Sequence, residues 1–231
     1  MMLGIIGAMD EEIVAIKNEM QEIEEVKIKN IVFYKGKMEG KEVVLVLCGI
    51  GKVNAAIHTT LLINNFNIDK IIVTGVAGGI NPELEIGDFV ISKDLIQHDV
   101  DATAFGAKLG EIPRMETSTF LGNQEMVKIS KEILDKSFLN KNNKIGRILS
   151  GDQFIASTEK IEMLIKIFKG DCVEMEGAAV AQVCHIFGID FVVLRLISDK
   201  ANSDAKIDFV NFIREAVLDF VVYIKELIKR I

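Results

Sequence analysis

Short, strongly apolar runs recur along this chain with helix-period segments between them, and three of these runs lead straight into a carboxylate. Leu3-Gly4-Ile5-Ile6-Gly7-Ala8-Met9 leads to Glu12, Asp171-Cys172-Val173-Glu174-Met175 to Glu176, and Phe191-Val192-Val193-Leu194-Arg195-Leu196-Ile197 to Asp199. The alternation is the pattern of an α/β fold. In an open α/β sheet the carboxyl ends of parallel strands lie along one edge, and small ligands bind there. Three acids delivered to that edge from distant parts of the chain can meet in one pocket. Acids gathered in a partly dry cleft suit proton chemistry on a neutral or cation-forming substrate.

The periodicity predicts a strand over 2–8 and a helix from Glu11 to Glu22. Strands over Asn30–Met38 and Glu42–Cys48 join at Glu39-Gly40-Lys41 as a hairpin. A helix over Val53–Asn65 precedes a buried strand, Lys70–Thr74, which glycines 75, 78 and 79 interrupt. A strand begins at Asp88–Ser92, and Lys93 to Phe120 reads as a long irregular stretch, of the kind that tends to be functional. Helices follow at 123–137, 158–168, 177–187 and 208–230, with strands at 145–149, 171–175 and 190–197. Phe209, Phe212, Ile213, Val217, Phe220, Val221 and Ile224 give the last helix an apolar stripe that suits packing on the sheet. The expectation is one domain, residues 1–231, with three αβα layers around a mixed central sheet.

Composition narrows the function. A net charge of −7 disfavours nucleic acid as a partner, because binding it needs a basic patch. No run approaches the roughly 20 apolar residues of a membrane span. The apolar start turns acidic at Asp10-Glu11-Glu12, without the basic start and small-residue cleavage site of a signal peptide. Cys48, Cys172 and Cys184 are odd in number and lack CxxC spacing, as expected of buried, reduced thiols in a cytoplasmic protein.

Several motifs have plainer readings. Gly75-Val76-Ala77-Gly78-Gly79 lacks dinucleotide-loop spacing, and Gly49-Ile50-Gly51-Lys52 lacks that of a P-loop. Both glycine clusters either admit a ligand close to the backbone or turn the chain sharply. His58, His98 and His185 show no metal-ligand spacing, and the acids of His98-Asp99-Val100-Asp101 fit a loop-organising role better than a metal site. Glu12 and Glu176 each begin a predicted helix, where negative charge is favourable without any catalytic task. Asp199 is harder to explain that way. It ends an apolar strand broken only by Arg195, and an arginine there needs a buried partner or a ligand-facing task.

Taken together, Gly4-Ile5-Ile6-Gly7-Ala8-Met9-Asp10-Glu11-Glu12, Ser150-Gly151-Asp152-Gln153-Phe154, Val173-Glu174-Met175-Glu176-Gly177 and Arg195-Leu196-Ile197-Ser198-Asp199 resemble the bacterial 5′-methylthioadenosine/S-adenosylhomocysteine nucleosidases. The likeness extends to Gly49-Ile50-Gly51-Lys52-Val53, to His98 through Gly106 and to Pro113, and it covers essentially the whole chain. It implies a nucleoside phosphorylase-like fold, a homodimer, no metal and no organic cofactor. The implied reaction is hydrolysis of the adenine–ribose bond through a ribosyl cation-like transition state.

In that reaction Asp199 would protonate adenine N7, with Ser198 holding its carboxyl group. An ordinary aspartate is ionised at neutral pH, so the role requires a site that favours the protonated form or shares a proton with the purine. Glu12 would position and polarise the water, and Arg195 would keep Glu12 ionised. Glu176 would bind the ribose hydroxyls beside Met175, with Glu174 alongside. Phe154 would stack on adenine, while Phe154 and Ile155 backbone groups read its edge. Backbone groups around Ala77 and Gly78 would contact the nucleoside. Met9, Ile50 and Phe209 resemble the apolar wall around the 5′-alkylthio group, although apolar residues need no ligand to explain them. Ala102, Phe105 and Pro113 resemble residues lent by the neighbouring subunit.

Val76 departs from the serine that several members carry, and Ala102 from a larger apolar residue, so substrate breadth is open, with 5′-deoxyadenosine and 6-amino-6-deoxyfutalosine as further candidates. Two rivals stand beside hydrolysis: a purine nucleoside phosphorylase, and a non-catalytic nucleoside-binding protein on the same scaffold.

Overall fold

The computed structural model describes the backbone of residues 1–201 and 205–231, and their side chains except at 205–211 and 213–216. Phe209 and Ile213 therefore lie outside the described side chains.

Strand β1 (Met2–Gly7) and helix α1 (Asp10–Asn18) open the chain, followed by β2 (Gln21–Ile28), β3 (Ile31–Met38) and β4 (Lys41–Leu47). Helix α2 (Lys52–Phe66) leads into β5 (Lys70–Gly79) and β6 (Phe89–Gln97). A 3-10 turn at Thr103–Phe105 and the short β7 (Phe120–Leu121) follow, then α3 (Gln124–Ser137), β8 (Asn143–Ser150) and α4 (Thr158–Phe168). Strand β9 (Cys172–Glu174), α5 (Gly177–Phe187), β10 (Asp190–Asp199) and α6 (Ala205–Arg230) complete it.

The strands form one mixed sheet that forks at β5. Along one edge, β5 pairs in parallel with β1 over its first residues, Lys70–Val73, and antiparallel with β9 at Gly78 and Gly79. Its other edge pairs in parallel with β10. From β10 the pairing runs through β6, β8 and β9 back to β5, so these five strands close into a ring. Beyond β1 the sheet continues through β4, β3 and β2. The space between the diverging ends of β1 and β9 is the crevice in which a ligand site is expected.

Apolar side chains leave both faces of the sheet, as buried strands require. Helices α2 and α5 pack together on one face, over Ile6, Val44, Ile71, Val73 and Val193. Helices α1, α3 and α6 cover the other, over Leu3, Ile5, Val43, Ile72 and Leu194. Phe220, Tyr223, Ile224, Leu227 and Ile228 seat α6, and the Tyr223 hydroxyl pairs with Ser130 Oγ of α3 at 2.7 Å. The mixed sheet flanked by helices is as expected.

Three boundaries differ from the expectation. Helix α1 stops at Asn18, and Gln21–Ile28 is an edge strand that pairs with β3. Its alternation is masked because most of its side chains are exposed and half are charged, the usual protection of a sheet edge. Strand β6 runs on to Gln97, five residues past the expected end. Strand β5 continues through its glycines instead of breaking at Gly75.

Candidate active site

The glycines of β5 have a specific cause. A Cβ on Gly75 would stand 1.9 Å from Arg195 Nη1, and one on Gly78 would meet Ala201 at 2.9 Å and Asp199 Oδ1 at 3.0 Å. They are neither a turn nor a phosphate loop. They let β5 lie against Arg195 and Asp199 of β10 and against Ala201 just beyond it.

Those charges line a cleft at the fork of the sheet. Its empty space is about 800 Å³ with the open mouth included. The ends of β1 and α1 supply Met9 and Glu12, and the segment before α2 supplies Ile50. Val76, Ala77 and Gly78 come from β5, and Phe154 and Ile155 from the segment after β8. Glu174, Met175 and Glu176 come from the end of β9, and Arg195, Ser198 and Asp199 from β10. The three acids singled out from the sequence thus share one cavity. Ala102, Phe105 and Pro113 do not line it, and Phe105 is 94% exposed. Ala8, Gln153 and Val173 also line it; each lies inside a quoted motif, though none is among the expected site residues.

Glu12 serves its helix and the cleft together. Oε2 accepts from the Ala8 and Met9 backbone N–H groups, at 3.0 and 3.2 Å, at the N-terminus of α1. The side chain is nonetheless almost fully buried, and burial pushes its pKa up to about 7 against the pull of Arg195 and of those N–H groups. The expectation that Arg195 keeps Glu12 ionised thus meets a stronger opposing effect. Glu176 is also raised to about 7, by burial and then by the charge of Glu174, with Arg195 opposing. Its Oε1 accepts the Gly51 N–H at 2.7 Å, from the start of α2.

Glu174 is occupied by protein. Oε2 accepts the backbone N–H groups of Glu176 and Gly177, at 3.0 and 2.8 Å, and also Arg195 Nη2. Oε1 accepts the Ser150 hydroxyl, which itself takes the Ala178 N–H at 2.7 Å. Ser150 was not among the predicted site residues, although it opens the quoted Ser150-Gly151-Asp152 motif. Asp199 accepts the Ser198 hydroxyl on Oδ2 at 2.8 Å and the Ala201 N–H on Oδ1 at 2.7 Å.

Arg195 is the one cation lining the cleft among the described residues. Its Nη2 also stands 4.0 Å from Glu176 Oε2, and its buried Nε has no hydrogen-bond partner. Four carboxylates against one guanidinium make a site that can hold and exchange protons. It repels a phosphate and tolerates a neutral substrate that becomes cationic. Phe154, about half exposed, lines the cleft.

Comparison with known proteins agrees with this chemistry. The family model for the phosphorylase superfamily matches residues 2–229. A 5′-methylthioadenosine/S-adenosylhomocysteine nucleosidase of Staphylococcus haemolyticus is 46% identical over 229 residues, 99% of each chain. The crystal structure of a nucleosidase of the same name from Neisseria meningitidis, in complex with methylthio-immucillin-A, superposes with a TM-score of 0.95 at 36% identity, covering 100% of this chain and 99% of that one. Futalosine hydrolase of Helicobacter pylori superposes with a TM-score of 0.94, also at 36% identity, over 100% and 98%. At this likeness over its whole length, the chain belongs to the phosphorylase superfamily and, within it, to the 5′-methylthioadenosine/S-adenosylhomocysteine nucleosidases.

Proposed function

We propose that this protein hydrolyses the N-glycosidic bond of 5′-methylthioadenosine, S-adenosylhomocysteine and related 5′-substituted adenosines, in methionine salvage and the recycling of S-adenosylmethionine by-products. The observation that carries the reading is Glu12. It is a carboxylate buried in the cleft beside Arg195, Glu176 and Asp199 with its pKa raised to about 7, near the ideal for a general base at neutral pH.

Water attacks ribose C1′ and its proton passes to Glu12. The N9–C1′ bond breaks with its electron pair going to the base, and Asp199 delivers a proton to N7 so that adenine leaves neutral. Glu176 holds the ribose hydroxyls beside Met175, and its charge favours the cation developing on the sugar. Phe154 stacks on the base, the Ile155 backbone reads its edge, and Met9 and Ile50 face the 5′ substituent. Glu174 serves the sugar indirectly, through Arg195 and the N-terminus of α5.

A phosphorylase needs an anion site, commonly of several arginines and N–H groups. The cleft offers one guanidinium, already engaged by Glu174, so water suits it better. The active unit is a cytoplasmic homodimer. Three buried, unpaired cysteines suit a reducing compartment. Ile50, Val53, Ile57 and Phe105 expose apolar surface that a second copy would cover, bringing its Ala102, Phe105 and Pro113 to this cleft.

Adenine release from 5′-methylthioadenosine in phosphate-free buffer, with the sugar product free of phosphate, is the expected result. A strict requirement for phosphate would favour the phosphorylase, and tight adenine binding without turnover the non-catalytic protein. Steady-state comparison with S-adenosylhomocysteine, 5′-deoxyadenosine and 6-amino-6-deoxyfutalosine ranks the substrates.

A further inference from the structure

Two segments that build the cleft are joined to each other, and to the segment that follows β6, by charged side chains that do not line it. Lys52 opens α2 directly after Ile50 and Gly51. Its backbone N–H donates to Asp152 Oδ1 at 2.8 Å. Its ammonium group donates to Asp99 Oδ1 at 2.6 Å and to Gln97 Oε1 at 2.9 Å. The second oxygen of Asp99 accepts the Asp152 backbone N–H at 2.9 Å. Asp99 follows the end of β6, and Asp152 precedes Gln153, Phe154 and Ile155, which reach the cleft.

The arrangement is built in at several levels. Gly51 has a left-handed φ of +98°, and a Cβ there would stand 3.1 Å from Asp152 Oδ1, so the approach of Asp152 to the helix start depends on glycine. The Lys52 and Asp99 side chains are only 16% and 14% exposed. Burial acts to raise the Asp99 pKa, but the Lys52 ammonium and the Asp152 N–H outweigh it and hold the carboxyl group below its usual range. Residues 153–157 belong to no helix or strand. Their seat against α2 therefore rests on Asp152 more than on a backbone ladder.

We propose that Lys52, Asp99 and Asp152 form a clasp that sets nucleoside affinity by holding the 153–155 segment in its base-binding position. These are positioning residues. Glu12, Arg195 and Asp199 stand on α1 and β10, which the clasp does not touch. Opening it lowers the fraction of molecules ready to bind, which weakens apparent affinity by that fraction and leaves the chemistry of the bound state in place. The inference rests on the nucleosidase reading and deepens it.

The test uses the full-length chain with Lys52→Met, Asp99→Asn, the double variant and Lys52→Arg. In Lys52→Met and Asp99→Asn, KM for 5′-methylthioadenosine and the Kd of adenine rise together by about tenfold, while kcat stays within about threefold. The double variant is no worse than the weaker single one, because both remove one shared interaction. Lys52→Arg, which keeps the charge, recovers most of the affinity. Hydrogen exchange at the backbone N–H groups of 152–155 quickens in both single variants without any nucleoside present. That readout judges the clasp even if the unaltered protein releases no adenine, an outcome that would sink the nucleosidase reading alone. Unchanged exchange overturns the proposal, and so does a fall in kcat with KM and adenine Kd unmoved. Should Lys52→Met not fold, Asp99→Asn, which keeps the shape of the side chain, decides by the same measurements.

Discussion

Two arginines lie among carboxylates in this sheet, and they are satisfied in opposite ways. Arg147 of β8 meets Asp94 of β6 as a fork, Nε to Oδ1 at 2.6 Å and Nη2 to Oδ2 at 3.0 Å, while Nη1 donates to the Phe168 carbonyl at 2.7 Å. Arg195 of β10 is more deeply buried, yet it reaches Glu174 through one nitrogen and leaves Nε unpartnered. Around Arg147 donors and acceptors match, which fixes geometry and leaves no proton to trade. Around Arg195 the acids outnumber the cation, and Glu12 and Glu176 are left titrating near neutrality. The first cluster is built for stability, the second for chemistry.

The sharpest way to break that contrast is to remove the acids. Glu12→Gln and Asp199→Asn should each lower kcat by at least about 10², the usual minimum for losing a positioned proton-transfer group, while adenine still binds. Adenine release and equilibrium binding measure the two halves. Near-normal turnover in both variants would remove the catalytic meaning of the outnumbered cluster.

Arg147→Met tests the other arm. It leaves Asp94 buried without its partner, which should cost about 3–5 kcal/mol of folding stability by urea denaturation. Turnover per folded molecule should stay within about twofold, because Arg147 touches nothing in the cleft. A large loss of kcat with stability intact would erase the distinction.

Stability against pH sharpens it further. Glu12 holds its proton more tightly folded, at about 7, than at its ordinary 4.5. Protonation therefore favours the folded chain, fully so below about pH 4.5, and that stabilisation disappears as pH rises through 7. Glu12→Gln should accordingly stabilise the ligand-free protein by about 2–3 kcal/mol at pH 8 and by almost nothing near pH 4.5. Equal effects at both values would mean that Glu12 is not held protonated by the fold.

The smallest effect concerns Glu174. Arg195, Glu12, Glu176 and Asp199 face it across the cleft, with the Cys172 thiol beside it and Cys48 near Glu176. Glu174→Gln removes the anion that raises Glu176 and releases Arg195 to act on Glu12. The acid limb of kcat/KM, expected near pH 7 from Glu12 in the unaltered protein, should move down by about one pH unit. A limb that stays in place would make Glu174 a purely structural hydrogen-bond acceptor.

Much of this was legible because burial leaves a mark on sequence. Both faces of β1, β5 and β10 are covered by helices, so those strands read as unbroken apolar runs, and the acids at their ends stood out against them. Strand β2 was hidden for the opposite reason, since an edge strand with charged, exposed side chains carries no such run. The glycines of β5 were ambiguous because their cause is on another strand: nothing local shows that Arg195 needs the space above Gly75. The partners of Glu174 were invisible for the same reason. Ser150 and Arg195 are distant in sequence; Ser150 meets it across the β8–β9 pair, and Arg195 reaches it from β10, which pairs with β5 and not with β9.

The amino-acid sequence by itself determined the α/β class, the strands that carry the acids, and the identity of Glu12, Glu176 and Asp199, because hydrophobic period and residue chemistry are local properties. Tertiary structure alone decided that the sheet forks at β5, that one guanidinium stands among four carboxylates, and that burial outweighs that charge at Glu12. Those outcomes depend on distance and on the exclusion of water, which exist only once separate parts of the chain have been brought together.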